Sequence, residues 1–152
     1  MKSQGEIEAA VCDGISRFQQ EFIGRGPRDI HVHLIGNLLL VRLQGVLTPA
    51  ERQLIAPRSN GAADGATGDG HGTGDGNGNG NGNGNGNGRA LLKQVRSHVV
   101  ATGRPRLEEV VQGATGARLV SVHHDISTVT GEEVIVFSLD ASPTCRPPRR
   151  KV

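Results

Sequence analysis

Between Ala56 and Gly88 the chain carries thirteen of its 23 glycines and almost no apolar side chain, ending in strict Gly-Asn alternation from Gly76. Glycine leaves nearly every backbone conformation open, and no apolar burial is available there to offset the entropy of ordering. The stretch 56–88 therefore reads as a disordered insert, and a core has to come from what flanks it, residues 1–55 and 89–141. Asp64, Asp69 and Asp75 among the glycines suggest a calcium-binding roll. Such rolls need an apolar residue in every repeat, and none is present. As a coil the insert spans about 30 Å. Closure cost grows slowly with loop length, so the insert is expected to loop out of an intact fold.

The flanks leave roughly 110 residues, enough for one domain. Their core is aliphatic, because the only aromatic residues are Phe18, Phe22 and Phe137. With no Trp or Tyr for bases to stack on, single-stranded nucleic acid is a poor fit. The net charge of +2 also misleads. Arg146, Arg149, Arg150 and Lys151 crowd the last seven residues, and without them the balance is −2. A nucleic-acid footprint needs a basic face on the fold itself, so no nucleic-acid partner is expected. Residues 142–152 read as a disordered basic tail. A weak contact of that tail with anionic lipid is the functional alternative.

Cys12 and Cys145 make no metal or redox spacing. The polar start MKSQGEIEAA is followed by no long apolar run, and no stretch approaches the ~20 residues a bilayer span needs. The chain reads as cytoplasmic, with no membrane span of its own.

Ile7, Val11, Ile15, Phe18 and Phe22 fall on one stripe of a helix that Gly24, Gly26 and Pro27 end. Ile30, Val32 and Leu34 alternate with His31 and His33, Gly36-Asn37 turns, and Leu38 to Gln44 returns. This predicts a hairpin. Thr48-Pro49-Ala50-Glu51 is a helix start, with Thr48 at the cap, Pro49 at the first position and Glu51 completing a capping box. Helical spacing resumes at Arg89, breaks at Gly103 and Pro105, and continues to Gly116. Leu119–Thr128 and Glu133–Leu139, joined through Thr130-Gly131, predict a second hairpin. The two halves repeat a helix, a glycine break and a hairpin. The expected fold is α+β: a two-layer sandwich in αββ-ααββ order, with a four-stranded antiparallel sheet and helices on one face.

Two constellations follow from strand periodicity. If the apolar sets face the helices, His31, His33, His123 and Asp125 lie on the open face of the sheet. There they are candidate ligands for a divalent metal such as zinc. Whether they meet depends on strand order; otherwise the face is merely polar. Leu38, Leu40, Val134 and Val136 point to that same face, so strands two and four are apolar on both sides. An antiparallel sheet with one wetted face alternates cleanly, and this one does not. Another surface is expected to cover it, and a symmetric homodimer is the commonest cover.

Catalytic motifs are missing: there is no nucleophile elbow, phosphate loop or His-Glu-x-x-His. Glu108-Glu109 and Glu132-Glu133 read as a solvated helix face and a solvated turn. Arg104 and Arg106 at a helix start make an unspecific anion-binding candidate. The chain is not expected to be an enzyme.

Four stretches together resemble the bacterial MpsC family: Phe18–Pro27, Val46–Glu51, Arg104–Glu108 and Val120–Phe137. The last, with Val-Ser-Val-His-His-Asp-Ile-Ser-Thr and Thr130-Gly131-Glu132, is the most specific. The insert departs from the family pattern, in which the two helical pieces are joined directly or by a few residues. The family's name implies a Na+-translocating, membrane-potential-generating system. For a chain with no span, the resemblance implies a non-catalytic accessory or regulatory subunit of an ion or inorganic-carbon transport complex. Its partner would be a membrane-transport protein at the inner face of the membrane. A metal- or small-ligand-binding sensor using the histidine face is the alternative. The family supplies no catalytic residues to carry over.

Overall fold

The computed structural model describes residues 1–56 and 84–147. The elements run α1 (Gln4–Ile23), β1 (Asp29–Ile35), β2 (Leu38–Gln44), α2 (Pro49–Ile55), α3 (Gly84–Thr102), α4 (Arg104–Thr115), β3 (Leu119–Ile126) and β4 (Glu133–Leu139). All strand pairs are antiparallel and the sheet order is β1-β2-β4-β3. The fold is the expected α+β one. Most of the insert, residues 57–83, lies outside the described residues, as do residues 148–152 of the tail.

A capping box opens α1: the Glu6 amide donates to Ser3 Oγ at 3.2 Å, and the Ser3 amide donates to the Glu6 carboxylate at 2.6 Å. Ile7, Val11, Ile15 and Phe18 are buried as the stripe predicts. Phe22 is not. It is 40% exposed and stacks on Phe18 with centroids 4.6 Å apart, while Gln19 takes the buried place. The second predicted capping box is also present, between Thr48 and Glu51 at the start of α2.

Leu39, Val41 and Leu43 of β2 and Ile135, Phe137 and Leu139 of β4 face the helices and are essentially inaccessible. Their alternates lie on the other side of the sheet, half-buried or exposed. The helices fit closely where glycine removes a side chain. A Cβ on Gly14 of α1 would run into the Val110 side chain of α4, and one on Gly103 would meet the Phe18 ring.

Three features differ from the sequence reading. A register shift between Leu119 and Ser121 makes Val120 the extra residue of a bulge. Uninterrupted alternation along the Leu119–Thr128 arm would set Val120 on the inner face with Val122, His124 and Ile126; the bulge leaves it 57% exposed instead. Helix α3 starts at Gly84, inside the Gly-Asn run, instead of at Arg89. The first part of the expected free tail is docked: Ser3 and Arg146 form a parallel bridge, the Arg146 amide donates to Lys2 O at 2.9 Å, and Cys145 packs against the core.

Candidate functional site

Four polar side chains occupy inward register positions. Gln19 follows Ile15 on the buried side of α1, and Arg96 follows Leu92 on α3. Glu133 is in phase with Ile135 and Phe137, and His124 with Ile126. Arg96, Gln19 and Glu133 are each 1% exposed. They converge under α2. The Arg96 guanidinium donates to both Glu51 carboxylate oxygens at 2.7 Å and to Val46 O at 2.6 Å. It also donates to Gln19 Oε1 at 3.2 Å and to Glu133 Oε2 at 3.3 Å. All five guanidinium N–H groups are thereby used. Gln19 Nε2 closes the ring by donating to Glu133 Oε1 at 2.7 Å.

Burial works against an ionised Glu51, but the hydrogen bonds from Arg96 and from the Thr48 amide outweigh it and hold the carboxyl below the usual range. The Glu132-Glu133 pair is thus split. Glu132 sits at the surface, where Arg42 pairs with it at 3.1 Å, whereas Glu133 is a core residue and not part of a solvated turn. His124 places Nε2 3.4 Å from Glu133, an ion pair only when the ring is protonated. Neither ring nitrogen has a hydrogen-bond partner among the described residues. An open pocket of about 330 Å³ between the end of α3 and β3 has His124, Ser97, Val100 and Arg104 in its wall. Both ring nitrogens are sealed from it, being inaccessible to water.

The network is a clamp. Glu51 stands before residues 57–83 and Arg96 after them, so a charge-assisted fork ties the two sides of the insert. Every Arg96 donor is taken by a protein acceptor, which suits a structural role. Cys12 is half-buried on α1; burial, then Asp13 and Glu8, push its thiol up, away from the thiolate.

The open face of the sheet carries the other predicted residues. One row across the strands reads His33, Leu40, Val136, His123, and the next reads His31, Arg42, Val134, Asp125. The strand order puts β1 and β3 on opposite edges. His31 and His33 therefore stand apart from His123 and Asp125, separated by two strands or roughly 14 Å. One chain does not gather the four into a metal site, and no group of three or more metal-binding side chains occurs among the described residues. Asp125 is held by Lys93 Nζ at 2.9 Å, which with the Ile126 amide lowers its carboxyl.

Between these edges lie Leu38, Leu40, Val134 and Val136. Leu38 is 38% exposed and the other three are half-buried by their sheet neighbours. Ile35 extends the patch and is 60% exposed. Among the described residues the helices cover only the opposite side of the sheet.

Arg104 and Arg106 are already engaged. Arg104 donates to Glu108 at 3.1 Å and to Val120 O at 3.2 Å; Arg106 donates to Glu109 at 3.1 Å and lies 3.8 Å from Glu21. Both guanidinium groups are paired with carboxylates of the chain itself, with which an added anion would have to compete.

An uncharacterised protein, YbcI of Bacillus subtilis (strain 168), is 28% identical over 138 residues, covering 91% of this chain and 89% of that protein. No solved structure matches the chain. The family model described as "Na+-translocating membrane potential-generating system (MpsC)" matches residues 3–63 and 83–141, breaking across the glycine-rich insert. Of the described residues, no helix is long and apolar enough to cross a membrane. Matched over both flanks, from the capping box of α1 to the end of β4, the chain belongs to the MpsC family.

Proposed function

We propose that the chain is a soluble, non-catalytic accessory or regulatory subunit of a membrane ion (Na+) or inorganic-carbon transport, membrane-potential-generating system, acting through protein–protein contacts. The observation that carries this reading is the open sheet face, where Leu38, Leu40, Val134 and Val136 present apolar side chains that no described helix covers. Burying such a patch against another protein stabilises the complex in proportion to the apolar area removed from water. The family description supports a membrane system as the setting. The buried polar network supports a structural use of the chain's most prominent charged cluster, since its guanidinium is saturated by protein acceptors. The first occupant of the face is a second copy of the chain, and the dimer is the unit that meets its membrane partner.

The test is co-isolation from membranes with the tagged full chain and with Leu40→Arg/Val136→Arg. The wild type retains a membrane protein and the variant loses it while still folding, as a cooperative melt and an unchanged circular-dichroism spectrum report. A variant that folds and retains every partner contradicts the reading.

A further inference from the structure

We infer that two copies of this chain pair through their open faces and that the pairing builds two divalent-metal sites, each made from His31 and His33 of one copy and His123 and Asp125 of the other. The inference rests on the reading of that face as a protein contact, and it specifies the occupant, the symmetry and the ligand.

The geometry starts from the strand order. His31 and His33 lie on the β1 edge, and Asp125 and His123 lie in the same two rows on the β3 edge. Two identical sheets can stack face to face about a two-fold axis running along the strands or across them. An axis across the strands puts each edge over its own copy, so Asp125 faces the partner's Asp125 edge. An axis along the strands exchanges the edges and keeps the rows. His33 then stands over the partner's His123, and His31 over the partner's Asp125. This second arrangement is the charge-complementary one, because His31 and Arg42 begin the row that Asp125 ends. It also lays the β2 leucines on the partner's β4 valines, so the apolar centres meet.

The distances suit a shared ion. Stacked sheets pack about 10 Å apart, a gap that facing side chains fill from both sides. Residues i and i+2 on a strand share a face, so each edge offers two ligand side chains at one spacing. Three imidazoles and one carboxylate form a donor set that zinc takes in tetrahedral geometry. The footprint of four strands of seven or eight residues is about 500 Å² per copy, or about 1,000 Å² in total, at the threshold for a specific interface and below what stable ones usually bury. A dimer of that size gains substantially from ligand bonds at its edges. Asp125 must exchange Lys93 for the metal; that pair is exposed, and exposed pairs contribute little.

The experiment measures the mass of the full chain by sedimentation equilibrium with zinc and with chelator, together with bound zinc per chain. Zinc is expected to tighten dimerisation by roughly tenfold or more, as for any ligand bound only by the assembled form, with two ions per dimer. His31→Ala/His33→Ala and His123→Ala/Asp125→Ala, all at exposed positions, each lose the zinc effect. Mixing the two variants restores it with one ion per dimer, because one of the two sites in the mixed dimer is intact. Zinc bound by a lone chain, a dimer indifferent to zinc, or a mixture that stays metal-free overturns the inference. A zinc-indifferent dimer that Leu40→Arg breaks leaves the contact face standing and removes only the metal. A dimer that Leu40→Arg leaves intact removes the face as well.

Discussion

Arg96 and Glu51 meet in a two-bond fork, Nε to Oε2 and Nη2 to Oε1 at 2.7 Å each, between helices on either side of the glycine-rich insert. The same Glu51 caps α2, so one side chain fixes a helix start and the return of the chain. Arg96→Met leaves Glu133 and Gln19 buried without their partner. It is expected to cost about 3–5 kcal/mol, the usual penalty for breaking a buried pair from one side. Urea denaturation measures it, and a loss below about 1 kcal/mol would show that the network is dispensable.

Acid should act through Glu51. Its folded-state carboxyl lies below the ordinary 4.5, so the unfolded chain takes up the proton first as pH falls. The contribution is complete above about pH 4.5 and is lost as pH drops through the lower folded value. Glu51→Gln flattens this part of the stability–pH curve, read by thermal melts between pH 3 and 6. An unchanged slope would contradict the assignment.

The insert should be replaceable. With Arg96 and Glu51 joining its two sides, substituting a short Gly-Ser linker for residues 57–83 is expected to change stability by about 1 kcal/mol or less, since loop length enters only logarithmically. A collapsed variant by circular dichroism would show that the insert is part of the fold.

Gly14 sets how closely α1 and α4 approach. Gly14→Ala pushes a methyl into Val110 and is expected to cost about 1–3 kcal/mol. Adding Val110→Ala should recover part of that loss, a coupling that a double-mutant cycle reads directly. Additive effects would place the strain elsewhere.

Most of the fold was legible because its signals are local. The α1 stripe from Ile7 to Phe18, both turns and the Thr48–Glu51 box are patterns within a dozen residues, and these formed as read; only Phe22, at the end of the stripe, gives its buried place to Gln19. The buried network was legible in part. Glu133 keeps step with Ile135 and Phe137, and Arg96 keeps step with Leu92 and Val100, so a polar residue at an inward register position was the signal. Reading Glu132-Glu133 as a pair hid it, because period two sends the neighbours to opposite faces. Strand order was not legible. Either hairpin could have presented either edge to the other, and no local pattern distinguishes β1-β2-β4-β3 from the alternatives. The docking of Arg146 beside Ser3 joins a backbone hydrogen bond to Lys2 O with a 3.4 Å pairing to Glu6, contacts between chain ends that no local pattern announces.

The central claim is that the sheet face bearing Leu40 and Val136 is covered by a second copy. Light scattering of the full chain at micromolar concentration, with zinc and with chelator, tests it most directly. The expected result is a dimer mass that zinc reinforces and that Leu40→Arg reduces to a single chain, which still melts cooperatively but at the lower temperature that loss of a partner brings. A monomer under both conditions would contradict it.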